Sequence, residues 1–460
     1  MTGSGPPAPQ PRGSRLRELS RGLVLRELAR WGPLSQADVV RRTGLSRATV
    51  ASIVTDLRAE GRLAPPVRGD DQSGDGETGG AASAAGPGGG AAAAAGPGGN
   101  GAAVSEGATR APGDRVTATR ASGDRVTATR ASGDRVTAGR RPVRGRPPAL
   151  LQLAAGAHTV VGVDFGHSHL AVAVADLAGT VLAEDRVPLD VHASAPDALD
   201  RAAAMMRAQL DAAAVCEPPA AVVMGVPGPV DLRTGTLRSG TVLPGWEGLN
   251  PADELSSRTG LPVTAENDAN LGAVGEHRYG AVRGIDDVLY VKVSSGIGAG
   301  VILGGRLYRG SRGTAGEIGH VQVREDGALC RCGSRGCLET VSSADAALAL
   351  LSPAHRRSMT VDDLIGLADR GDPGTVRLLT DMGTAIGRVV AALAANLDPA
   401  VVVVGGSVTA EAMLDGISAA VRRYTQPYVS AELTVVRGAL GARAGLLGAV
   451  SLAIQAAATV

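Results

Sequence analysis

Apolar residues recur at helical spacing in three short segments near the amino terminus. The first segment runs from Leu16 to Leu28 and ends at Gly32-Pro33. A second helix is predicted at 36–43, and a third begins at Ser46 after a turn that a glycine permits. The third helix has an apolar stripe of Val50, Ile53, Val54 and Leu57. Three helices of this kind predict a winged helix-turn-helix domain over residues 15–67, preceded by a disordered tail at 1–14.

From His158 onward, short apolar runs typical of strands alternate with longer helical patterns. The same order of elements occurs twice along this part of the chain. A pair of strands joined by a glycine turn is followed by a helix and then by a buried strand. The helical patterns cover 196–214, 374–397 and 442–457. This repeated alternation predicts an α/β body of two lobes with a cleft between them. We expect the lobes at 156–266 and 267–460, and the final helix could return to the first lobe.

The segment 68–143 has no core-forming pattern. It contains Gly/Ala/Pro tracts and three near-copies of a ten-residue unit, RASGDRVTAT in its middle copy, each with one valine as its only sizeable apolar residue. Such units cannot offset the entropy of ordering, so disorder is predicted, whereas a solenoid needs longer repeats with a hydrophobic face. Residues 144–155, including GRPPALLQL, are expected to form a returning wing strand and linker. The insert would then be a lengthened wing tip whose arginines could contact phosphates.

Charge is unevenly distributed along the chain. Residues 1–150 sum to +9 and the remainder to −8, for a net charge of +1. A basic head next to a mildly acidic body suggests a polyanionic partner, although arginine richness itself also fits coding bias. No apolar run reaches the roughly 18 residues that cross a bilayer, and the first residues do not resemble a signal peptide. A soluble, cytoplasmic protein without a membrane partner is expected.

The third predicted helix has the composition of a recognition helix. Small polar residues and an arginine lie off its apolar stripe, where they could contact base edges and phosphates of double-stranded DNA. The alternative is an ordinary helical hairpin used for dimerisation. The residues expected to contact DNA are Gln36, Ser46, Arg47, Thr49 and Ser52.

Three of the four cysteines lie within eight residues, after a nearby histidine. Three thiolates and one imidazole make a closed tetrahedral set for Zn²⁺, which predicts a structural rather than catalytic site. The alternative is a loop of unligated cysteines, and Cys216 is interpreted as incidental. The predicted ligands are His320, Cys330, Cys332 and Cys337.

Carboxylates, amides and glycine turns supply two further candidate sites. Acidic and amide side chains are typical partners of sugar hydroxyls, and Asp268 could act as general base in phosphoryl transfer. Taken singly, each could be a solvated surface group. The candidates for sugar binding are Asn267, Asp268, Glu317 and Glu339. Glycine turns at strand ends can bind phosphate, although strand turns in any α/β protein look similar; the candidates are Asp164, Gly166, Ser168, Ser295, Gly296, Gly298, Gly405 and Gly406.

These segments together resemble the ROK family (repressor, open reading frame, kinase). The matching pieces are VGVDFGHSHLAVAVADLAG, GVPGPVD, ENDAN, GIGAGVILGG, GEIGH, CRCGSRGCLE and VVVVGGSV, in family order. The resemblance implies an actin-like ATPase (ribonuclease H-like) body. It adds His320 to the sugar contacts, assigns Asp268 as the base wherever a member is a kinase, and favours a homodimer or homotetramer.

Two departures from the family pattern concern the nucleotide. In the second phosphate turn, this chain has Ser294-Ser295-Gly296 where family kinases usually have Gly-Thr-Gly. In the first, family kinases carry Asp-x-Gly-Gly-Thr, whereas this chain has His167 and Ser168 in the last two positions, followed by His169. A bulky imidazole obstructs the approach of phosphate to the backbone, so ATP and Mg²⁺ binding is doubtful. The predicted function is therefore a sugar-responsive transcriptional regulator, most simply a repressor of carbohydrate genes. The alternatives are an ATP-dependent sugar kinase of the glucokinase type and a zinc-stabilised scaffold that binds no sugar.

Overall fold

The structure is a computed structural model that describes residues 12–65, 149–155, 158–237 and 243–458. The amino-terminal helices and the α/β body belong to one compact unit. The predicted disordered insert at 68–143 lies outside the described residues, as does most of the predicted tail.

Three helices form an amino-terminal domain, here called the head. Ser35 caps the second helix through a reciprocal capping box with Asp38, and Gly44 ends it in the left-handed region at φ 69°. A glycine is needed at this position because side chains rarely adopt that conformation. The helices are α1 (Arg12–Trp31), α2 (Gln36–Thr43) and α3 (Arg47–Ala59).

A segment beyond the insert completes the head. Strands β1 (Leu34–Ser35) and β2 (Leu150–Leu151) pair antiparallel, and Leu63 forms an isolated bridge with Leu153. The leucines at 63, 151 and 153 are buried in the head's core. The segment predicted as a returning strand therefore packs on the head, in a wing-like arrangement.

The first lobe contains a five-stranded sheet in the order β5-β4-β3-β6-β7. The hairpin strands β3, β4 and β5 are antiparallel, while β6 and β7 continue the sheet in parallel with β3. The elements are β3 (Thr159–Phe165), β4 (His169–Asp176), β5 (Val181–Pro188), α4 (Ala195–Ala212), β6 (Ala221–Val226), α5 (Pro251–Thr259) and β7 (Val263–Asn267).

The second lobe repeats this sheet topology in the order β10-β9-β8-β11-β12. Its strands are β8 (Val288–Val293), β9 (Ile297–Leu303), β10 (Arg306–Tyr308), β11 (Val401–Gly406) and β12 (Thr434–Arg437). The remaining helices are α6 (Asp268–Arg278), α7 (Glu339–Ser342), α8 (Ala344–His355), α9 (Val361–Asp369), α10 (Pro373–Leu397), α11 (Glu411–Tyr424), α12 (Pro427–Glu432) and α13 (Ala444–Ala457). Two α/β lobes are thus present, as the alternating pattern predicts.

Helices α6 and α13 connect the parts of the molecule. All of α6 is buried, and α13 packs on it and on the first lobe's sheet. Gly275 and Gly448 allow this close crossing, since a Cβ on Gly448 would lie 1.9 Å from the Leu271 carbonyl oxygen. One hydrophobic cluster joins α13 and the first sheet to the head, including Leu28, Leu57, Val160, Val450 and Ile454. The head is therefore anchored to the body by a shared core.

Helix α10 corrects one expectation from the sequence. By its length and composition alone, this helix could cross a membrane. No such segment was expected from the sequence. Half of its most apolar stretch is buried in the fold, where Leu379, Ile386 and Val390 belong to the second lobe's core. Packing against α11 therefore accounts for its composition.

Candidate functional site

The cleft between the lobes contains the predicted sugar-binding residues. Strand β7 ends at Asn267, whose side-chain oxygen accepts hydrogen bonds from the amides of Ala269 and Asn270 at 2.9 and 3.0 Å. This cap begins α6 and fixes Asp268 at its first turn, where the helix dipole favours a carboxylate. A cavity of about 60 Å³ is lined by all five predicted residues, namely Asn267, Asp268, Glu317, His320 and Glu339.

Lys292, the only lysine in the sequence, lies at the centre of this cleft. Its ammonium is 2.5 Å from the Asp268 carboxylate, and its side chain is only 21% exposed. Burial disfavours the ammonium, but Asp268 and Asp164 raise the pKa of Lys292 above its usual value. Lys292 therefore remains charged, and the carboxylate expected to act as a base is held in an ion pair with it.

The other carboxylates of the cleft differ in environment. Glu339 forms an ion pair with Arg331 at 3.0 Å and accepts a hydrogen bond from the Ile297 amide at 3.3 Å. Burial, together with the negative charges of Asp268 and Glu339, raises the pKa of Glu317 to about 7. Near neutral pH Glu317 can thus be a hydrogen-bond donor as well as an acceptor, which suits a hydroxyl-rich ligand.

A second cavity of about 140 Å³ adjoins the first, and Asp268 and Lys292 line both. Of the residues expected to bind nucleotide, it brings together Asp164, Gly166, Ser168, Ser295 and Gly406. Gly296 and Gly298 instead line the sugar-side cavity, and Gly405 packs against the Tyr290 ring.

Imidazoles occupy the expected phosphate side of the cleft. The His169 ring lies 3.3 Å from the Asp164 carboxylate, and a Cβ on Gly166 would be 2.1 Å from that ring. Burial opposes ionisation of Asp164, but His169 and Lys292 hold its pKa below the usual range. His167 stacks on His192, and burial with the nearby Lys292 charge lowers the pKa of His167 to about 3. These imidazole rings and the ammonium restrict the space that a triphosphate requires.

The predicted metal ligands form a single group. One ligand atom from each of His320, Cys330, Cys332 and Cys337 lies within 4.8 Å of the others, a spacing that could hold a metal ion. The Nδ1 atom of His320 faces the Cys330 sulfur at 3.6 Å, while Nε2 lies 3.8 Å from a Glu317 oxygen. One imidazole thus faces the metal group and the sugar cavity with different nitrogens.

The residues predicted to contact DNA lie on the head's surface at the start of α2 and α3. Gln36, Arg47 and Ser52 are exposed. Ser46 is exposed too, but its hydroxyl accepts the Thr49 amide as the cap of α3. The outward face also presents Ala48 and Ala51, small residues that the composition of a recognition helix did not single out.

Contacts between head and body lie at the far end of α6. Trp31, the last residue of α1, packs on the His277 ring with centroids 4.6 Å apart. The Arg42 guanidinium lies 3.5 Å above the Trp31 ring and 3.4 Å from Asp286. Since α6 starts at the cleft, one helix of roughly 16 Å connects the sugar cavity with the head. The sequence pattern alone did not indicate these contacts, nor the role of Lys292.

Comparisons with known proteins agree with this architecture. The ROK family profile matches residues 160–456. The glucokinase of Thermotoga maritima is 31% identical and aligns over 64% of this chain and 96% of that protein. The xylose repressor of Bacillus subtilis is 30% identical, over 68% of this chain and 81% of that protein. A crystal structure of a ROK family transcriptional regulator, described as a homolog of E. coli MLC, covers 96% of this chain and 97% of its own at a TM-score of 0.67 and 20% identity. The predicted actin-like ATPase fold is confirmed.

Proposed function

Because this chain belongs to the ROK family, we propose that it is a cytoplasmic, DNA-binding transcriptional regulator that responds to a sugar and represses carbohydrate genes. The observation that carries the proposal is the course of α6. Its first residues line the polar cleft, and its last residues contact the head through His277. A ligand that shifts α6 would change the head's position, provided that its affinity differs between the two states.

The sugar ligand would be held by the carboxylates and the histidine of the cleft. Asp268, Glu317 and Glu339 offer acceptors for adjacent hydroxyls, and the Nε2 atom of His320 can join them. The cavity of about 60 Å³ is smaller than the roughly 300 Å³ typical of ligand pockets. Sugar binding would therefore require the lobes to open, which is the kind of movement that could be transmitted along α6.

Zn²⁺ is the ion that best suits the metal group. A set of three thiolates and one imidazole is the donor chemistry of closed structural zinc sites. His320, Cys330, Cys332 and Cys337 would hold the ion, with the Nδ1 atom of His320 as ligand. Bound zinc would fix the orientation of that ring and so present Nε2 to the sugar.

DNA recognition would use the exposed face of α3. Arg47, Thr49 and Ser52 would enter the major groove, with Gln36 and Ser46 close to the phosphate backbone. Two heads of a homodimer or homotetramer would contact paired half-sites. The name of the xylose repressor relative supports this assignment at the level of function class.

A mobility-shift titration at stated salt tests the proposal. Fragments from the gene's own neighbourhood would be bound by the full chain, and a panel of pentoses, hexoses and their phosphates would be added. We expect one sugar class to shift DNA affinity by about 5- to 150-fold. Arg47→Ala should weaken binding, whereas Arg207→Ala, an exposed arginine on α4, should not. Specific binding that no sugar alters would remove the sensing role.

A sugar kinase is the second candidate, and the retained Asp268 favours it. Against it, the Lys292 ammonium neutralises that carboxylate, and histidines lie on the phosphate side of the cleft. A coupled assay of ADP release across hexoses separates the two functions. Turnover that Asp268→Asn abolishes would establish the kinase.

A further inference from the structure

A cavity of about 200 Å³ lies between head and body, apart from the cleft. Arg30 of α1 contributes from the head, and Arg306 and Arg309 contribute from the second lobe. His277 of α6 and two residues of α13, Ser451 and Gln455, complete the polar lining. No carboxylate lines this cavity among the described residues, so its lining carries positive charge.

The arginines are only partly neutralised by neighbouring acids. Arg30 is 3.3 Å from Glu27, and Arg309 is 2.5 Å from Glu266, which leaves most of their N–H donors available. Arg306 makes no ion pair with any of the described residues. It also lies close enough to Arg30 to lower the pKa of that guanidinium, although burial is the larger cause. Such repulsion is relieved when an anion enters.

One residue of the cavity wall, His277, also has a buried nitrogen without a hydrogen-bond partner among the described residues. His277 is 5% exposed, and no described residue is a hydrogen-bond partner of its Nε2 atom. The other ring nitrogen of His277 has a hydrogen-bond partner in the backbone of Ile285. With Nδ1 donating to that backbone, Nε2 is an acceptor and requires an O–H or N–H donor. A donor on a water molecule or on a ligand in the cavity would satisfy this atom.

We propose that this cavity, defined by Arg30, His277, Arg306, Arg309 and Ser451, is a binding site for a small hydroxylated phosphate ester. The guanidinium groups match the phosphate oxygens in charge and geometry. A hydroxyl of the ligand donates to Nε2 of His277. The volume suits a ligand smaller than those of typical pockets, which start near roughly 300 Å³.

A ligand in this site would affect both the head and the sugar cleft. Arg30 belongs to the head and Arg306 to the body, so one ligand bridges them. Arg309 also contacts Glu266, whose other oxygen accepts the Asn270 side-chain amide. A phosphate that competes for Arg309 therefore acts on the residues that cap α6 at the sugar cleft. The site would be a second effector site, and its existence does not depend on the proposed regulatory function.

Calorimetry on the full chain at low salt tests this site with glycerol 3-phosphate, inorganic phosphate and glycerol. We expect glycerol 3-phosphate to bind more tightly than phosphate and glycerol not to bind. Arg306→Ala removes an exposed side chain that has no hydrogen-bond or ion-pair partner in the described part of the chain, so the fold should survive. It should weaken glycerol 3-phosphate binding about ten- to a hundredfold, as loss of a charged hydrogen bond does.

Two control variants decide where the ligand binds. Arg207→Ala lies on α4, which covers the opposite face of the first sheet, and should bind like the wild type. Asp268→Asn alters the cleft and should reduce glycerol 3-phosphate binding far less than Arg306→Ala does. Equal loss in Arg207→Ala would indicate diffuse charge attraction, and loss in Asp268→Asn with full binding in Arg306→Ala would move the ligand to the cleft. Either result, or no binding by the wild type at millimolar ligand, would overturn the proposal.

Discussion

At the scale of single residues, the cleft is organised by one internal cation. The Lys292 ammonium lies where two carboxylates, Asp268 and Asp164, would otherwise repel each other. In a kinase, a metal ion and phosphates would share this region with the base. Here the Lys292 ammonium supplies the positive charge beside these carboxylates. The cleft can therefore hold a neutral ligand without a nucleotide.

Replacing Lys292 with methionine should destabilise the protein. The substitution removes one partner of a largely buried ion pair and leaves the Asp268 charge uncompensated, at a cost of about 2–3 kcal/mol or more. Chemical denaturation measures the loss. Adding Asp268→Asn to Lys292→Met should recover much of it, because neither charge then remains. A single variant as stable as the wild type would refute the structural importance of the pair.

His277 predicts a loss of stability in acid. Burial lowers its pKa in the folded protein to about 4, below the usual 6.5, so the unfolded chain binds more protons. Its contribution is constant above pH 7 and falls as the pH drops from 6.5 toward 4, by about 3 kcal/mol at most. His167 acts in the same direction. Urea unfolding at several pH values measures how the free energy of unfolding depends on pH. This dependence should be weaker for His277→Gln than for the wild type, and an equal dependence would contradict this assignment.

At the scale of elements, the loop 321–338 has little regular structure to hold it. Its strand-like pairing is limited to two isolated bridges, Gln322 with Cys337 and Leu329 with Arg335, beside turn-type backbone hydrogen bonds, and Leu329 is exposed. Glycines make its tight turns possible, since the Gly336 position leaves no room for a Cβ beside the Arg324 carbonyl. A bound ion would supply the stability that a hydrophobic core provides elsewhere.

Cys332→Ser should therefore abolish metal binding and expose the loop to proteolysis. Plasma emission spectrometry of purified protein is expected to find one zinc per wild-type chain and almost none in this variant. Cys216→Ser is the matched control, because Cys216 is exposed and remote from the group. Wild-type protein without metal, or a Cys332→Ser variant with a full complement, would be inconsistent with a structural zinc site.

At the scale of the whole molecule, the head and body are joined by two kinds of contact. The shared hydrophobic cluster fixes the head against α13, and the polar contacts of Trp31 and Arg42 lie at the end of α6. The two kinds of contact differ in consequence. The cluster anchors the head, whereas the smaller polar contacts can rearrange when α6 moves.

Arg42→Gln should weaken communication between the sugar and the DNA. The substitution removes both the contact with the Trp31 ring and the ion pair with Asp286, while the head's core is untouched. We expect the sugar's effect on DNA affinity to fall at least threefold, measured by mobility shift at saturating sugar. Arg41→Gln is the control, since Arg41 pairs only with Asp38 on its own helix. An equal change in both variants would indicate general loss of charge.

The sequence by itself determined the elements and the identity of most candidate groups. Local rules act over a few residues, so the helix caps at Ser35 and Ser46 and the glycine-ended strands follow from spacing alone. The metal ligands were recognisable for the same reason, because three of the four lie within eight residues. Residues that are close in sequence are also close in space, so their relative positions can be predicted without the fold.

Only the tertiary structure decided which distant residues meet. Lys292 contacts Asp268 across 24 positions, and Trp31 meets His277 across a far longer stretch, because strand order and helix packing bring them together. No periodicity encodes such distances. The ionisation of the cleft, the cationic cavity between head and body and the route along α6 depend on these long-range contacts, since burial and neighbouring charge exist only once the chain has folded.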